Sequence, residues 1–305
     1  MPARIPLPDG LGPHFRVALA LAGGMGRGRL NGGDLDRPFW GVRAQVGAAE
    51  DVRGTAHAYA PRMSPQAVFS HATAAQLWAI PLPLHLQRTL PLHVSVPNPH
   101  RAPEGRHVAG HRLHIDPADL RVLDGLAVTS PERTVFDLAS ALSNEDLLGA
   151  LDNVLWRRRS RRFRATASSI EDALPRFGGR RGLSRLLRLL PLASDRSDSV
   201  PETAFRLRFI RAELPRPIPN VPVLDATGAF LAMPDLQFTE FRMAFDYEGD
   251  HHRTDPRQWR KDLRRVPLLE DSGWHHTRLS ADDLADSAYA LTRARRLLLE
   301  RGWTP

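Results

Sequence analysis

The sequence contains no cysteine, which excludes both disulfides and thiolate metal sites and fits a reducing compartment. Lysine is almost missing too: Lys261 is the only one, so arginine carries the positive charge. No apolar run approaches the roughly 20 residues that span a bilayer. The opening MPARIPLPDGLGPHF lacks the basic-then-apolar order of a signal peptide. The chain therefore reads as a soluble, cytoplasmic protein with no membrane partner. Absent as well are a GxxxxGK[ST] phosphate loop, a GxSxG elbow and an HExxH helix, so those chemistries find little support and no small-molecule cofactor is expected. The histidines look scattered, and without cysteine beside them a structural zinc site is not expected.

What is present is ordinary globular material: 305 residues, 42% hydrophobic and 25% charged. That length favours two domains, or three small ones, each able to bury a core. With 42 Lys and Arg against 34 Asp and Glu the net charge is +8, which suits a polyanion-binding surface. The arginine-rich usage of a GC-rich bacterial genome produces the same excess, so charge alone does not establish a nucleic-acid partner.

Along the chain, FRVALALAGGMGRGRLNGGDL gives a helix, a Gly-Gly-Met break and a second short segment, and RPFWGVRA supplies a strand or wing. That order, over residues 10–60, is the order of a winged helix-turn-helix, and equally of a plain helical hairpin. Residues 61–160 read as α+β. SHATAAQLWAIPLP gives a helix capped by Ser70 with Ala74, Leu77 and Trp78 on one face, and strands LPLHVSVP and HVAGHRLHI follow. LAVTSPERTVFDLASAL gives a helix with Ser130 as cap and Pro131 first. A further helix runs from Ser143 into WRRRSRRFR. Residues 161–198 form a basic linker containing one helix, GLSRLLRLLPL.

The last segment, 199–305, alternates helix and strand, as an α/β sandwich around a mixed sheet does. Its helices are expected over 201–214, 256–266 and 281–301, and its strands over 221–224, 230–238, 242–248 and 274–279. Strand alternation in MAFDYE sends Met243, Phe245 and Tyr247 to one face and Asp246 and Glu248 to the other. A tight hairpin at Thr239-Glu240-Phe241 brings Asp235 beside them. Grouped carboxylates repel unless a hard cation holds them ionised, and Mg²⁺ or Mn²⁺ takes oxygen ligands. His252, beyond the turn at Gly249, is placed to act as acid or base. Each of these residues also has a plainer reading. Glu202 completes the capping box SVPE with Ser199, and His275 and His276 alternate across a strand, where packing is the simpler role.

The order Glu202, Pro234-Asp235, Asp246-Tyr247-Glu248-Gly249, His252, then RQWRKDLRR and GWHHTRL resembles the PD-(D/E)xK nuclease superfamily, within it the very-short-patch-repair (Vsr)-like endonuclease domain. The resemblance implies a restriction-endonuclease-like, metal-dependent DNA-cleaving fold with Asp235 and Asp246 as metal-binding acids and His252 as the family histidine. The superfamily's lysine would fall at Glu248, leaving Lys261 or Gln258 as substitutes. Residues 10–155, through SHATAAQLWAIPLP and GLAVTSPERTVFDLAS, resemble AbiEi-type antitoxins of bacterial type IV toxin-antitoxin systems, which implies a winged-helix DNA-binding element joined to an α/β antitoxin-like domain; a toxin is a candidate partner, but no antitoxin activity follows from the resemblance.

The expectation is therefore an Mg²⁺- or Mn²⁺-dependent endonuclease. Asp235 and Asp246 would hold the ion, with Glu202 a further candidate ligand. Glu248 would assist, His252 would move a proton, and Arg206, Arg257, Arg260, Lys261 and Arg264 would contact DNA phosphate. The rival expectation is a DNA-binding regulator or antitoxin whose nuclease fold is inactive.

Overall fold

Helix and strand alternate in a mixed α/β structure. The computed structural model describes residues 6–8, 10–179, 181–248 and 266–305. The chain forms two units: Met1–Ser140 with Ser168–Gly182, and Ala141–Ala167 with Leu183–Pro305. It therefore passes from one unit to the other three times, where the sequence suggested one linker ahead of a separate last domain.

In the first unit, β1 (His14–Arg16) leads into α1 (Val17–Ala22), which stops at Gly23. The second helix expected next is a single 3-10 turn, Arg29–Asn31. Gly26, Gly28, Gly32 and Gly33 account for this, since each is roughly 1 kcal/mol less favourable than alanine inside a helix. The wing segment turns into β3 (Val42–Gln45), which lies between β1 and β2 (Leu35–Asp36) in an antiparallel sheet. Phe15, Ala20, Met25, Leu30 and Leu35 form its small core. Unforeseen in the sequence is α2 (Val52–Tyr59), capped by Asp51 through the Gly54 N–H at 2.7 Å.

A five-stranded mixed sheet follows, built from β4 (Val68–Phe69), β5 (Leu92–Pro97), β6 (Val108–Leu113), β7 (Leu120–Leu123) and β8 (Leu126–Thr129). Its order is β6-β5-β4-β8-β7, with β5 parallel to β6 and β4 parallel to β8. Two helices cover it. In α3 (His71–Leu77) and the residue after it, Ala74, Leu77 and Trp78 are buried, as their spacing implied. In α4 (Pro131–Leu138) Ser130 takes the Arg133 N–H at 3.2 Å. Arg133 is fully buried and matched: it bonds Asp137 at 2.7 Å, the i,i+4 pair visible in RTVFD, and Asp119 at 3.3 Å. After α5 (Asn144–Leu155), which belongs to the other unit, α6 (Ala167–Ala173) returns the chain, and Phe177 stacks on Phe136 at 4.2 Å.

In the second unit α5, capped by Ser143, ends at Leu155 instead of continuing into the arginine run. It packs on α8 (Val200–Arg211), where Gly149 meets the Val200 side chain; α7 (Leu183–Leu189) lies between them in sequence. The strands are β9 (Ile218–Pro219), β10 (Val223–Leu224), β11 (Phe230–Ala232), β12 (Leu236–Phe238), β13 (Met243–Glu248) and β14 (His275–Ser280). Four form a sheet in the order β14-β13-β12-β9, antiparallel except for β13 with β14, while β10 and β11 pair separately. The strand expected over 230–238 is interrupted at Met233-Pro234-Asp235, because proline supplies no ladder N–H.

Residues 266–271 are helical; the rest of the helix expected over 256–266 lies outside the described residues. The helix expected over 281–301 is two, α9 (Ala281–Ala285) and α10 (Ala288–Glu300), because Asp286 leaves the helical region and accepts the Ala288 N–H at 3.0 Å. Phe205, Phe209, Phe238, Met243, Phe245 and Leu298 fill one face of the sheet. On β13's other face Ala244 packs with Val223, Ala232 and Leu269. With both faces covered, the polar end of β13 becomes the accessible part of the strand.

Candidate functional site

Asp235 and Asp246 meet across the β12–β13 pair. The register Leu236↔Phe245 sets them opposite one another, just beyond the proline that interrupts the ladder. Here carboxylates replace the missing strand bonds: the Asp235 N–H donates to Asp246 Oδ1 at 3.1 Å, and the Tyr247 N–H donates to Asp235 Oδ2 at 2.7 Å. The parallel register Ala244↔His276 then brings His276 Nε2 to 2.7 Å from Asp246 Oδ2. A packing role was expected for His276. The alternation itself holds, since His275 turns the other way, toward Arg293 on α10 at 3.3 Å.

The other expected residues lie elsewhere. Glu248 pairs with Arg278 at 2.9 Å, both side chains about half exposed. Glu202 is buried, with its carboxylate accepting the Asp198 N–H at 3.0 Å and the Asn220 side-chain amide at 2.7 Å. Burial pushes its pKa up. This is an N-terminal helix bond displaced by one residue from a capping box, and Asn220 links Glu202 to Asp235, its backbone N–H donating to the Asp235 carbonyl at 3.2 Å.

Arg206, expected on phosphate, is a correction. It is 1% exposed, and its guanidinium is held by Asp152 at 2.5 Å, because an arginine on the buried face of α8 needs an internal counter-charge. His252, Arg257, Arg260, Lys261 and Arg264 lie outside the described residues. Arg164 and Arg196, from the basic linker read in the sequence, join Arg216, Arg206, Ser194 and Asp195 around a cavity of about 550 Å³ beside β9. Burial, then the nearby Arg206, lowers the Arg216 pKa.

Among the described residues, the acids form no cluster of three that could share one ion; three histidines of the first unit do. His71 opens α3, and His93 and His111 lie on the parallel neighbours β5 and β6. One nitrogen from each ring lies within 4.8 Å of the other two. The scattered look of the histidines in sequence is thus corrected by the sheet, which gathers residues whose local patterns carry no shared signal.

No family model matches the chain. Two Mycobacterium tuberculosis proteins are 28% identical to it over 256 residues, covering 84% of this chain and 89% of their own length. They are the uncharacterized proteins MT2308, of strain CDC 1551 / Oshkosh, and Rv2248, of strain ATCC 25618 / H37Rv. Among solved structures, the RV2827C protein from Mycobacterium tuberculosis aligns with 56% of this chain and 68% of its own, at 19% identity and a TM-score of 0.39.

Proposed function

We propose that the second unit is a metal-dependent phosphodiesterase acting on DNA, of the PD-(D/E)xK type, joined to a first unit that binds DNA through a winged-helix-like element. The observation that carries this reading is the Asp235–Asp246 pair, two acids set side by side at the end of a sheet, each accepting a backbone N–H. Mg²⁺ is commonly held by one or two carboxylates with waters and phosphate completing the octahedron, and this donor set fits it. When bound, such an ion activates a water and stabilises charge on the scissile phosphate. Asp246 orients the His276 ring, so that its other nitrogen can take or return a proton. Arg164, Arg196 and Arg216 of the basic cavity beside β9 offer phosphate contacts, since the Arg206 guanidinium on the same wall is taken by Asp152.

A second reading, a DNA-binding regulator or antitoxin-like protein with an inactive nuclease fold and a toxin partner, is favoured by one observation. Glu248, at the position of the superfamily's lysine, is neutralised by Arg278 instead of joining the acid pair. Cleavage of supercoiled plasmid and of mismatched duplex with Mg²⁺ or Mn²⁺ separates the two. Loss of cleavage in Asp235→Asn and Asp246→Asn supports the nuclease. A folded wild type that binds duplex DNA and cuts neither substrate supports the regulator.

A further inference from the structure

We propose that His71, His93 and His111 form a binding site in the first unit for one divalent first-row transition ion of the zinc class. The proposal is independent of the nuclease reading, which concerns oxygen ligands in the other unit. Its basis is convergence: each ring offers one nitrogen, and the three lie within 4.8 Å of one another. His93 Nδ1 and His111 Nε2 face each other at 3.0 Å, one proton between them. Zn–N bonds of about 2.0–2.1 Å place two ligands of a tetrahedral site roughly 3.3 Å apart, so replacing that proton by a cation needs little movement. The His71 ring lies over that of His111, centroids 4.0 Å apart and planes 21° apart.

The surroundings suit a cation. Ser70 Oγ holds His71 Nδ1 at 2.9 Å and is itself held by Ser95 Oγ at 2.6 Å, which leaves Nε2 of His71 for the ion and supplies the outer hydrogen bonds that fix a ligating imidazole. This also explains why Ser70, the expected helix cap, caps nothing. His71 has a φ of +48°, a left-handed conformation that few non-glycine residues adopt and that aims its side chain off the helix start. Burial keeps all three rings neutral, the form that binds metal, with His71 pushed down to about 3 and His111 to about 4. Arg133 is the cation that His71 feels, and Asp119 and Asp137 already balance it. Imidazoles select zinc, copper or nickel over magnesium or calcium. Three protein nitrogens leave one position for water or an anion, the arrangement of a reactive zinc site.

The test is calorimetric titration of the chelator-treated full chain with ZnCl₂, with Co²⁺ absorption spectra as a second readout. One equivalent is expected in the wild type, weakened at least tenfold in His93→Ala and His111→Ala. It should be retained in His85→Ala and His100→Ala, whose rings are exposed. A wild type that binds no zinc, or cluster variants that bind it as the wild type does, overturns the proposal. Should the cluster variants not fold, anomalous diffraction at the zinc edge from zinc-soaked wild-type crystals decides. A peak among the three rings supports the site, and its absence there overturns it.

Discussion

The guanidinium of Arg206 lies 2.5 Å from the carboxylate of Asp152, with both side chains buried and Thr203 adding a hydroxyl bond to the same oxygen at 2.7 Å. Arg206→Ala strands a buried acid whose pKa burial already raises, and should destabilise the second unit by about 3–5 kcal/mol. Urea unfolding monitored in that unit checks this. A residue acting only on phosphate would instead weaken DNA binding and leave the unfolding midpoint in place.

Asp235 carries two roles that one substitution can separate. Asparagine keeps an oxygen for the Tyr247 N–H but cannot serve as an anionic ligand, so Asp235→Asn should hold stability within about 1 kcal/mol while abolishing Mg²⁺-dependent cleavage. Asp235→Ala loses both. Unfolding curves beside plasmid nicking rates for the two variants make the comparison, and equal nicking by Asp235→Asn and wild type would refute the assigned role.

The three-histidine cluster makes the first unit sensitive to acid. The folded values of His71 and His111 lie below the ordinary histidine value of about 6.5, so the unfolded chain binds more protons below that pH. Stability from this source is fully present above about pH 6.5 and is lost as pH falls through about 4 for His111 and about 3 for His71. His71→Gln should show a smaller drop in unfolding midpoint between pH 7.5 and pH 5 than the wild type. An unchanged drop would mean that His71 is not a source of the acid sensitivity.

Gly110 leaves no room for a side chain. A Cβ there would stand 1.9 Å from the Pro103 carbonyl oxygen, a backbone atom that cannot swing away. Gly110→Ala should therefore displace β6, lower the thermal midpoint by several degrees and weaken zinc binding through its neighbour His111. A thermal scan with and without ZnCl₂ measures both effects.

Local chemistry was legible in the sequence, and distance was not. Ser130, Ser143 and Ser199 cap α4, α5 and α8 where their patterns place them, because a cap is decided within four residues. The hairpin that sets Asp235 against Asp246 was readable for the same reason. Arg206 misled because its partner Asp152 sits on another helix, so its composition looked like surface. The histidine cluster left no trace because β5 and β6 pair in parallel, a register that no short loop announces. His276 was missed likewise: its contact with Asp246 follows from the β13–β14 register across residues that lie outside those described.

The threefold passage of the chain between its two units bears on how the protein is made. Helix α5 leaves the ribosome well before α8, yet Leu147, Leu148 and Leu151 are fully buried in the finished unit. During synthesis that helix must wait, oily side outward, while the later residues 168–182 go to the other core. A fragment cut near residue 160 would freeze this stage: it would carry α5 with nothing to cover it and lack Phe177 beneath Phe136. Chaperone capture of the nascent chain, and aggregation of such fragments, are what this order of emergence leads one to find.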